Sequence, residues 1–183
     1  NNVMDEVYNL YYKNWNQKII IDRGPICTPG NLMVMQKHFK QPIRCIVLVR
    51  DVLDVLASYI KWFETESTSF LNKYKTLEEK LNVVMHKNGA MAKELISIKY
   101  LLNHSDMAVF IKYDNLVQNP EHEIKKVYSF LNIPYYQHYF NNLNQVVVNG
   151  ISYNDTIVGN NMHTIKTDKI ISMDNSKYKN MIP

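Results

Sequence analysis

The chain has 183 residues, 46% of them apolar, so it can bury one hydrophobic core, and its length favours a single domain over 1–183. Its formal charge of +4 comes from 21 basic and 17 acidic residues spread along the chain. This mild charge argues against a nucleic-acid-binding protein and suits a small anionic ligand. The two cysteines, Cys27 and Cys45, are too few for a disulfide framework or a cysteine metal site, and we expect buried thiols.

No apolar stretch reaches the roughly 18 residues that a membrane-spanning helix needs, and no signal peptide opens the chain. We therefore expect a soluble protein, and the absence of a signal peptide and of disulfides favours the cytoplasm. The chain begins at Asn1, not methionine, and runs almost at once into a helical pattern. This start suggests an internal cut in a longer protein.

The elements alternate between helical and strand-like patterns, which predicts an α/β fold with a mainly parallel sheet. A β-branched run and two apolar runs give strands, and Gly89 is expected to bend or divide the long helical segment. The predicted elements are a helix over 3–15, a strand over 19–21, a helix over 31–39, a strand over 44–49, a helix over 51–63, helical structure over 76–102, a strand over 107–112, a helix from Pro120 and an extended loop or tail over 140–183. In the helix over 51–63, Val52, Val55, Leu56 and Tyr59 are expected to form the buried stripe.

In an open parallel sheet, ligands bind beyond the carboxyl ends of the strands. Arg50 ends the second strand, and its planar fork of donors suits a phosphate group. Ser58 follows about two helical turns later and can point a hydroxyl at the same anion. The spacing alone also fits a surface arginine or a salt-bridge partner and a solvent-facing serine.

Read together, the motifs resemble the sulfotransferases that use 3'-phosphoadenylyl sulfate (PAPS). The stretch IVLVRDVLDVLASYIKWF is similar to the family's 3'-phosphate-binding segment, with Arg50, Asp54 and Ser58 at the matching places. The family usually has proline two residues after the arginine, where this chain has Val52. The resemblance implies that Arg50 and Ser58 hold the 3'-phosphate of the donor.

A second block, VFIKYDNLVQNPEHEIKKVYSFLNIP, resembles the family's next segment. The resemblance implies that Tyr113 lies against the adenine ring, although a tyrosine that ends a buried strand is also a common core residue. Upstream, Arg23-Gly24-Pro25 keeps the spacing of the family's Lys-x-Pro signature. It implies a catalytic Arg23 that stabilises charge on the transferred sulfuryl group; the alternative is a turn residue paired to Asp22.

Near the end, NNMHTIKTD resembles the His-x-x-basic stretch of some family members. It implies His163 as a general base toward an acceptor hydroxyl and Lys166 as a ligand of the 3'-phosphate; an exposed loop histidine is the alternative. Glu6, or a residue outside the chain, is another candidate base.

The resemblance implies a three-layer α/β/α sulfotransferase fold related to the P-loop NTPases. No Gly-rich loop with a following Lys and Ser or Thr is present, so we expect that the first strand and the 5'-phosphosulfate loop are missing. We expect a domain that is partial at its amino terminus, with 140–183 as the tail of the same domain. A degenerate relative is the alternative.

The implied function is transfer of a sulfuryl group from PAPS to a hydroxyl or amine acceptor, which releases 3',5'-ADP (PAP), without a metal. The acceptor is a small molecule, a carbohydrate or a protein, and 73–102 is the segment where we expect its contacts. The alternatives are a P-loop nucleotide kinase or other phosphotransferase and a non-catalytic nucleotide-binding remnant.

Overall fold

A computed structural model describes residues 3–14, 19, 21, 28–65, 73–144, 147–148, 151–152, 165, 168–172 and 174–182. These residues form an α/β arrangement with many helices and a small parallel sheet, which confirms the predicted fold class. The elements are α1 Val3–Tyr11, α2 Pro29–His38, β1 Cys45–Val49, α3 Val52–Thr65, α4 Leu77–Met85, α5 Ala90–Leu102, β2 Ala108–Lys112, α6 Tyr113–Gln118, α7 Pro120–Leu131, β3 Val147–Val148, β4 Ile151–Ser152 and α8 Ser176–Lys179.

The parallel sheet is formed by β1 and β2, which lie side by side. The pairing begins where the backbone N–H of Cys45 donates to the carbonyl of Met107 at 2.7 Å. Both strands were predicted from their apolar runs, and Cys45 is a buried free thiol as expected. Because the strands are parallel neighbours, the residues that follow Val49 and Lys112 emerge at the same edge of the sheet.

The strand predicted over 19–21 is not formed by its described residues. Ile19 and Ile21 lie outside any strand and are 48% and 73% exposed. A β-branched run favours a strand only where it packs against neighbours and pairs with another strand. These two side chains remain largely in solvent, so the propensity has no packing to support it.

The contacts of the chain divide it into two compact units. The first consists of Asn1–Val47 and Met85–Val109. Its core includes Leu32 and Leu101, each only 1% exposed. The ring of Tyr8 on α1 lies 5.4 Å from that of Phe39, just beyond α2, which helps to join these helices.

The second unit consists of Leu48–Val84 and Phe110–Pro183. In it α8 packs against α3, and α6 packs against α7. The buried face of α3 is formed by four apolar residues: Leu56, Ala57, Ile60 and Phe63. The predicted stripe was therefore wrong in part. Val52 is 41% exposed, because it is the first residue of α3 and the buried face of this helix begins at Leu56.

The tail predicted over 140–183 contains regular structure. Strands β3 and β4 form a short antiparallel ribbon, in which Val147 pairs with Ser152 and Val148 with Ile151. Helix α8 follows near the end of the chain. Among the described residues, no helix combines the length and the apolar character needed to cross a membrane.

Local sequence explains where several helices begin. Gly89 divides the predicted helical segment over 76–102 into α4 and α5, and it occupies the N-cap position of α5. Asn119 caps α7, where its side chain accepts a hydrogen bond from the backbone N–H of His122 and Pro120 takes the first position. Asn132 ends the same helix in the left-handed conformation, with φ of 54°, which Asn tolerates better than most residues.

Candidate functional site

Arg50 is the first residue after β1, and its side chain is half-buried. Its Nε atom is buried and has no hydrogen-bond partner within the described part of the structure. A buried donor that makes no hydrogen bond costs about 1–3 kcal/mol, and more when it belongs to a charged group. Arg50 therefore presents an unsatisfied cationic donor at the ligand edge of the sheet.

Tyr113 begins α6 directly after β2, and it lies against Arg50. The guanidinium carbon of Arg50 is 4.2 Å from the centre of the tyrosine ring, which is a close cation–π contact. The ends of the two neighbouring strands thus bring together two residues that the sequence had placed in separate motifs. The Arg50 guanidinium thus occupies one face of the Tyr113 ring, and the adenine contact expected for Tyr113 stays a prediction.

The start of α3 is fixed by Asp51, which comes between Arg50 and the helix. Its Oδ1 atom accepts hydrogen bonds from the backbone N–H groups of Leu53 at 3.0 Å and Asp54 at 3.1 Å. This is the geometry of an N-cap. These two N–H groups are therefore already bonded to a carboxylate and are not open to an anion at this end of α3.

Ser58 is exposed on α3, four residues after Asp54. Residues at this spacing lie on the same face of a helix, so the Ser58 hydroxyl and the Asp54 carboxylate are neighbours on α3. The structure therefore leaves Ser58 accessible to a ligand from the side that also presents Asp54.

Lys179, the last residue of α8, contacts the same end of α3. Its Nζ atom lies 2.8 Å from Oδ1 of Asp54 and 3.7 Å from Oδ1 of Asp51. The hydrogen bond to Asp54 is the main cause that raises the pKa of Lys179, while the positive charge of Arg50 acts in the opposite direction. The start of α3 therefore has two cationic groups and two carboxylates beside it: Arg50, Lys179, Asp51 and Asp54.

Three of the predicted site residues lie outside the described residues: Arg23, His163 and Lys166. Their roles remain predictions, as does the expected burial of Cys27, which is also outside. Glu6, the other candidate base, is exposed on α1 in the first unit. Over the described ranges, no group of three or more His, Cys, Asp or Glu side chains is placed to hold a metal ion.

The sequence interpretation missed Lys179. Its partner Asp54 is far away along the chain, and no local motif around SKYK marks a contact with α3. The signal that the sequence offered was the acidic pair, Asp51 and Asp54, beside a predicted anion site, where a nearby cation would offset their charge.

The sulfotransferase domain family matches residues 28–180, most of the chain, and the chain belongs to this family. A solved structure described as the sulfotransferase domain from the curacin biosynthetic pathway has the same fold, with a TM-score of 0.55 and 19% sequence identity. The match covers 73% of this chain and 45% of that one, so the chain spans less than half of that protein. The comparison with curated proteins gives no significant match.

Proposed function

We propose that the chain takes part in sulfuryl transfer from PAPS to a hydroxyl or amine acceptor, and that Arg50 and Ser58 hold the 3'-phosphate of this donor. Membership of the sulfotransferase domain family supports sulfuryl transfer as the reaction class. The donor, the acceptor class and the role of each residue are our proposal.

The unsatisfied Nε atom of Arg50 is the observation that carries the proposal. A phosphate oxygen would satisfy this buried donor with a charge-assisted hydrogen bond, and the planar fork of arginine fits phosphate geometry. Tyr113 holds the guanidinium in place from one side. A side chain held in this way loses little conformational freedom when the ligand binds.

Ser58 supplies a second donor from α3. The backbone N–H groups of Leu53 and Asp54 already bond to Asp51, whereas the hydroxyl of Ser58 is exposed and can donate to a ligand. A serine hydroxyl donates to phosphate without adding charge, and we assign it a smaller share of the affinity than Arg50.

In the proposed reaction an acceptor oxygen or nitrogen attacks the sulfur atom of PAPS. The bond between sulfur and the bridging phosphate oxygen breaks, and its electron pair stays on the departing 3',5'-ADP. The acceptor proton passes to a base, for which His163 remains the prediction. A cation beside the transferred group stabilises the charge that develops there, and this is the role proposed for Arg23.

The acceptor is proposed to be a small molecule, a carbohydrate or a protein that carries a hydroxyl or amine. Segment 73–102 contains α4 and α5 and is the proposed source of acceptor contacts. Neither nucleic acid nor a metal ion is required by this proposal.

Titration calorimetry with 3',5'-ADP and 5'-AMP tests the donor site, because these ligands differ only in the 3'-phosphate. We expect the wild-type chain to prefer 3',5'-ADP. Arg50→Ala should weaken its binding about 10- to 100-fold and Ser58→Ala about 3- to 10-fold, as the loss of charged and neutral hydrogen bonds predicts. Both variants should then bind 3',5'-ADP and 5'-AMP more equally.

Matched controls are available elsewhere in the chain. Arg44→Ala removes the same charge at the opposite end of β1, and Ser129→Ala removes an exposed hydroxyl on α7; both should leave binding within about 2-fold. Equal affinity of the wild type for both nucleotides, or unchanged affinity in Arg50→Ala, would contradict the proposal. Magnesium-dependent ATP hydrolysis would favour the phosphotransferase alternative instead.

A further inference from the structure

Two carboxylates flank the residues proposed to hold the 3'-phosphate. Asp51 directly follows Arg50, and Asp54 lies one helical turn before Ser58 on the same face of α3. A phosphate that carries one to two negative charges is repelled by carboxylates at this range. With Arg50 alone, the formal charge of the cluster formed by Arg50, Asp51 and Asp54 would be negative.

Lys179 removes this imbalance. Its ammonium group lies 2.8 Å from Asp54 and 3.7 Å from Asp51, so the cluster contains two positive and two negative groups. α8 packs against α3, which keeps the lysine at this end of the helix.

We propose that Lys179 is a positioning residue of the 3'-phosphate site, which neutralises Asp51 and Asp54 so that Arg50 and Ser58 can accept a phosphate. The inference rests on the proposed function, in which these two residues take the 3'-phosphate. Lys179 acts through the carboxylates and through the local electrostatic field, and it is not assigned a direct contact with the ligand.

Two observations support an effect on binding. The Lys179 ammonium lies 3.7 Å from Asp51, the residue next to Arg50, and the Arg50 guanidinium opposes the rise in the pKa of Lys179. The ion pair is also partly solvent-exposed, with 37% of the Lys179 side chain and 20% of the Asp54 side chain accessible. Exposed ion pairs contribute little to folding stability, so the loss of Lys179 should appear in ligand affinity more than in unfolding.

Calorimetry on the full chain with 3',5'-ADP and 5'-AMP separates these effects. We expect Lys179→Met to weaken binding of 3',5'-ADP about 5- to 10-fold at low salt and to leave 5'-AMP within about 2-fold. Lys179→Arg, which keeps the charge, should stay within about 2-fold of wild type for both ligands.

A second substitution tests the mechanism. Adding Asp54→Asn to Lys179→Met removes the carboxylate that the first change left without its partner, so we expect most of the lost affinity for 3',5'-ADP to return. Lys177→Met is the matched control, because this lysine is on the same short helix and its ammonium lies over the ring of Tyr178. It should not change either affinity by more than about 2-fold.

The outcomes distinguish the inference from the proposed function. If wild type prefers 3',5'-ADP but Lys179→Met keeps that preference, the inference alone is wrong. Equal weakening of both nucleotides would show that Lys179 acts through general folding, and a selective loss without recovery in the double variant would show a direct contact with the phosphate; either result would also overturn the inference. If wild type has no preference for 3',5'-ADP, the proposed function fails and the inference fails with it.

Discussion

The Arg50 guanidinium lies over the ring of Tyr113, with 4.2 Å between the guanidinium carbon and the ring centre. Arg50 follows β1 and Tyr113 follows β2, so the contact joins the residues at the carboxyl ends of the two parallel strands. The arginine is thus held by the neighbouring strand as well as by its own backbone. This arrangement makes the tyrosine ring part of the proposed phosphate site.

Replacing Tyr113 by leucine should weaken binding of 3',5'-ADP about 2- to 5-fold, because a cation–π contact at a partly exposed site contributes about 0.5–1 kcal/mol. Tyr113→Phe keeps the ring and should bind like wild type. Titration calorimetry measures both, and Tyr136→Leu, at a tyrosine that is 68% exposed, serves as the control. Equal loss in the Phe and Leu variants would assign the effect to the hydroxyl and contradict the ring contact.

Truncating Ile60 should destabilise the second unit. This side chain is fully buried on the core face of α3, and Ile→Ala changes at such sites cost about 2–5 kcal/mol through lost burial and the cavity left behind. Leu53→Ala on the same helix is the control, because Leu53 is 48% exposed and its loss should cost less than about 1 kcal/mol. Urea unfolding followed by circular dichroism measures the difference, and similar costs at the two positions would refute the assigned core face.

Asp51 is expected to stabilise α3 as its N-cap. Asp51→Ala removes the acceptor of the Leu53 and Asp54 N–H groups and should lower the free energy of unfolding by about 0.5–2 kcal/mol. Asp51→Asn keeps a capping oxygen and should recover most of this loss. Chemical denaturation of the three proteins tests the expectation; an Asn variant as unstable as the Ala variant would point to the charge instead of the cap.

Glu79 is expected to make the stability of α4 depend on pH. Its Oε2 atom accepts hydrogen bonds from the backbone N–H groups of Lys75 and Thr76, while the Thr76 hydroxyl accepts one from the N–H of Glu79, which forms a capping box. The backbone hydrogen bonds from Thr76 and then Lys75 lower the pKa of Glu79 below 4.5. The pKa of Glu79 is therefore lower in the folded state than in the unfolded state. The stabilisation from its carboxylate is complete above the pKa of the unfolded state, and it is lost as the pH falls through the pKa of the folded state.

We therefore expect Glu79→Ala to lower the free energy of unfolding at neutral pH, and its difference from wild type to shrink as the pH falls below 4.5. Denaturation midpoints at neutral pH and at about pH 3 measure this trend. Glu78→Ala, at the exposed neighbouring position, should show little effect at either pH. A difference for Glu79→Ala that stays constant over this range would mean that the carboxylate charge is not involved.

The parallel strands could be predicted because each is a compact apolar run with clear ends. The run over 44–49 was predicted as a strand and β1 is Cys45–Val49. Helix α6, Tyr113–Gln118, was not predicted, since a helix of six residues is too short to show an apolar period. Local residue patterns thus define long elements well, whereas short elements depend on the packing around them.

The candidate site was predictable only in part. The position of Arg50 at a strand end follows from the local pattern, and Ser58 follows from the helix after it. The contact between Arg50 and Tyr113 depends on which strands are neighbours, and a single sequence does not contain this information. Lys179 lies still further from its partner along the chain, so its role required the structure.

The ion pair between Asp54 and Lys179 also sets an order of events during synthesis. Lys179 follows Asp54 by more than a hundred residues, so α3 emerges from the ribosome well before its cation does. A nascent chain can form β1 and α3 while their acidic residues still lack this partner. Under the proposed function, nucleotide binding is therefore expected to reach full strength only once Lys179 has packed against α3.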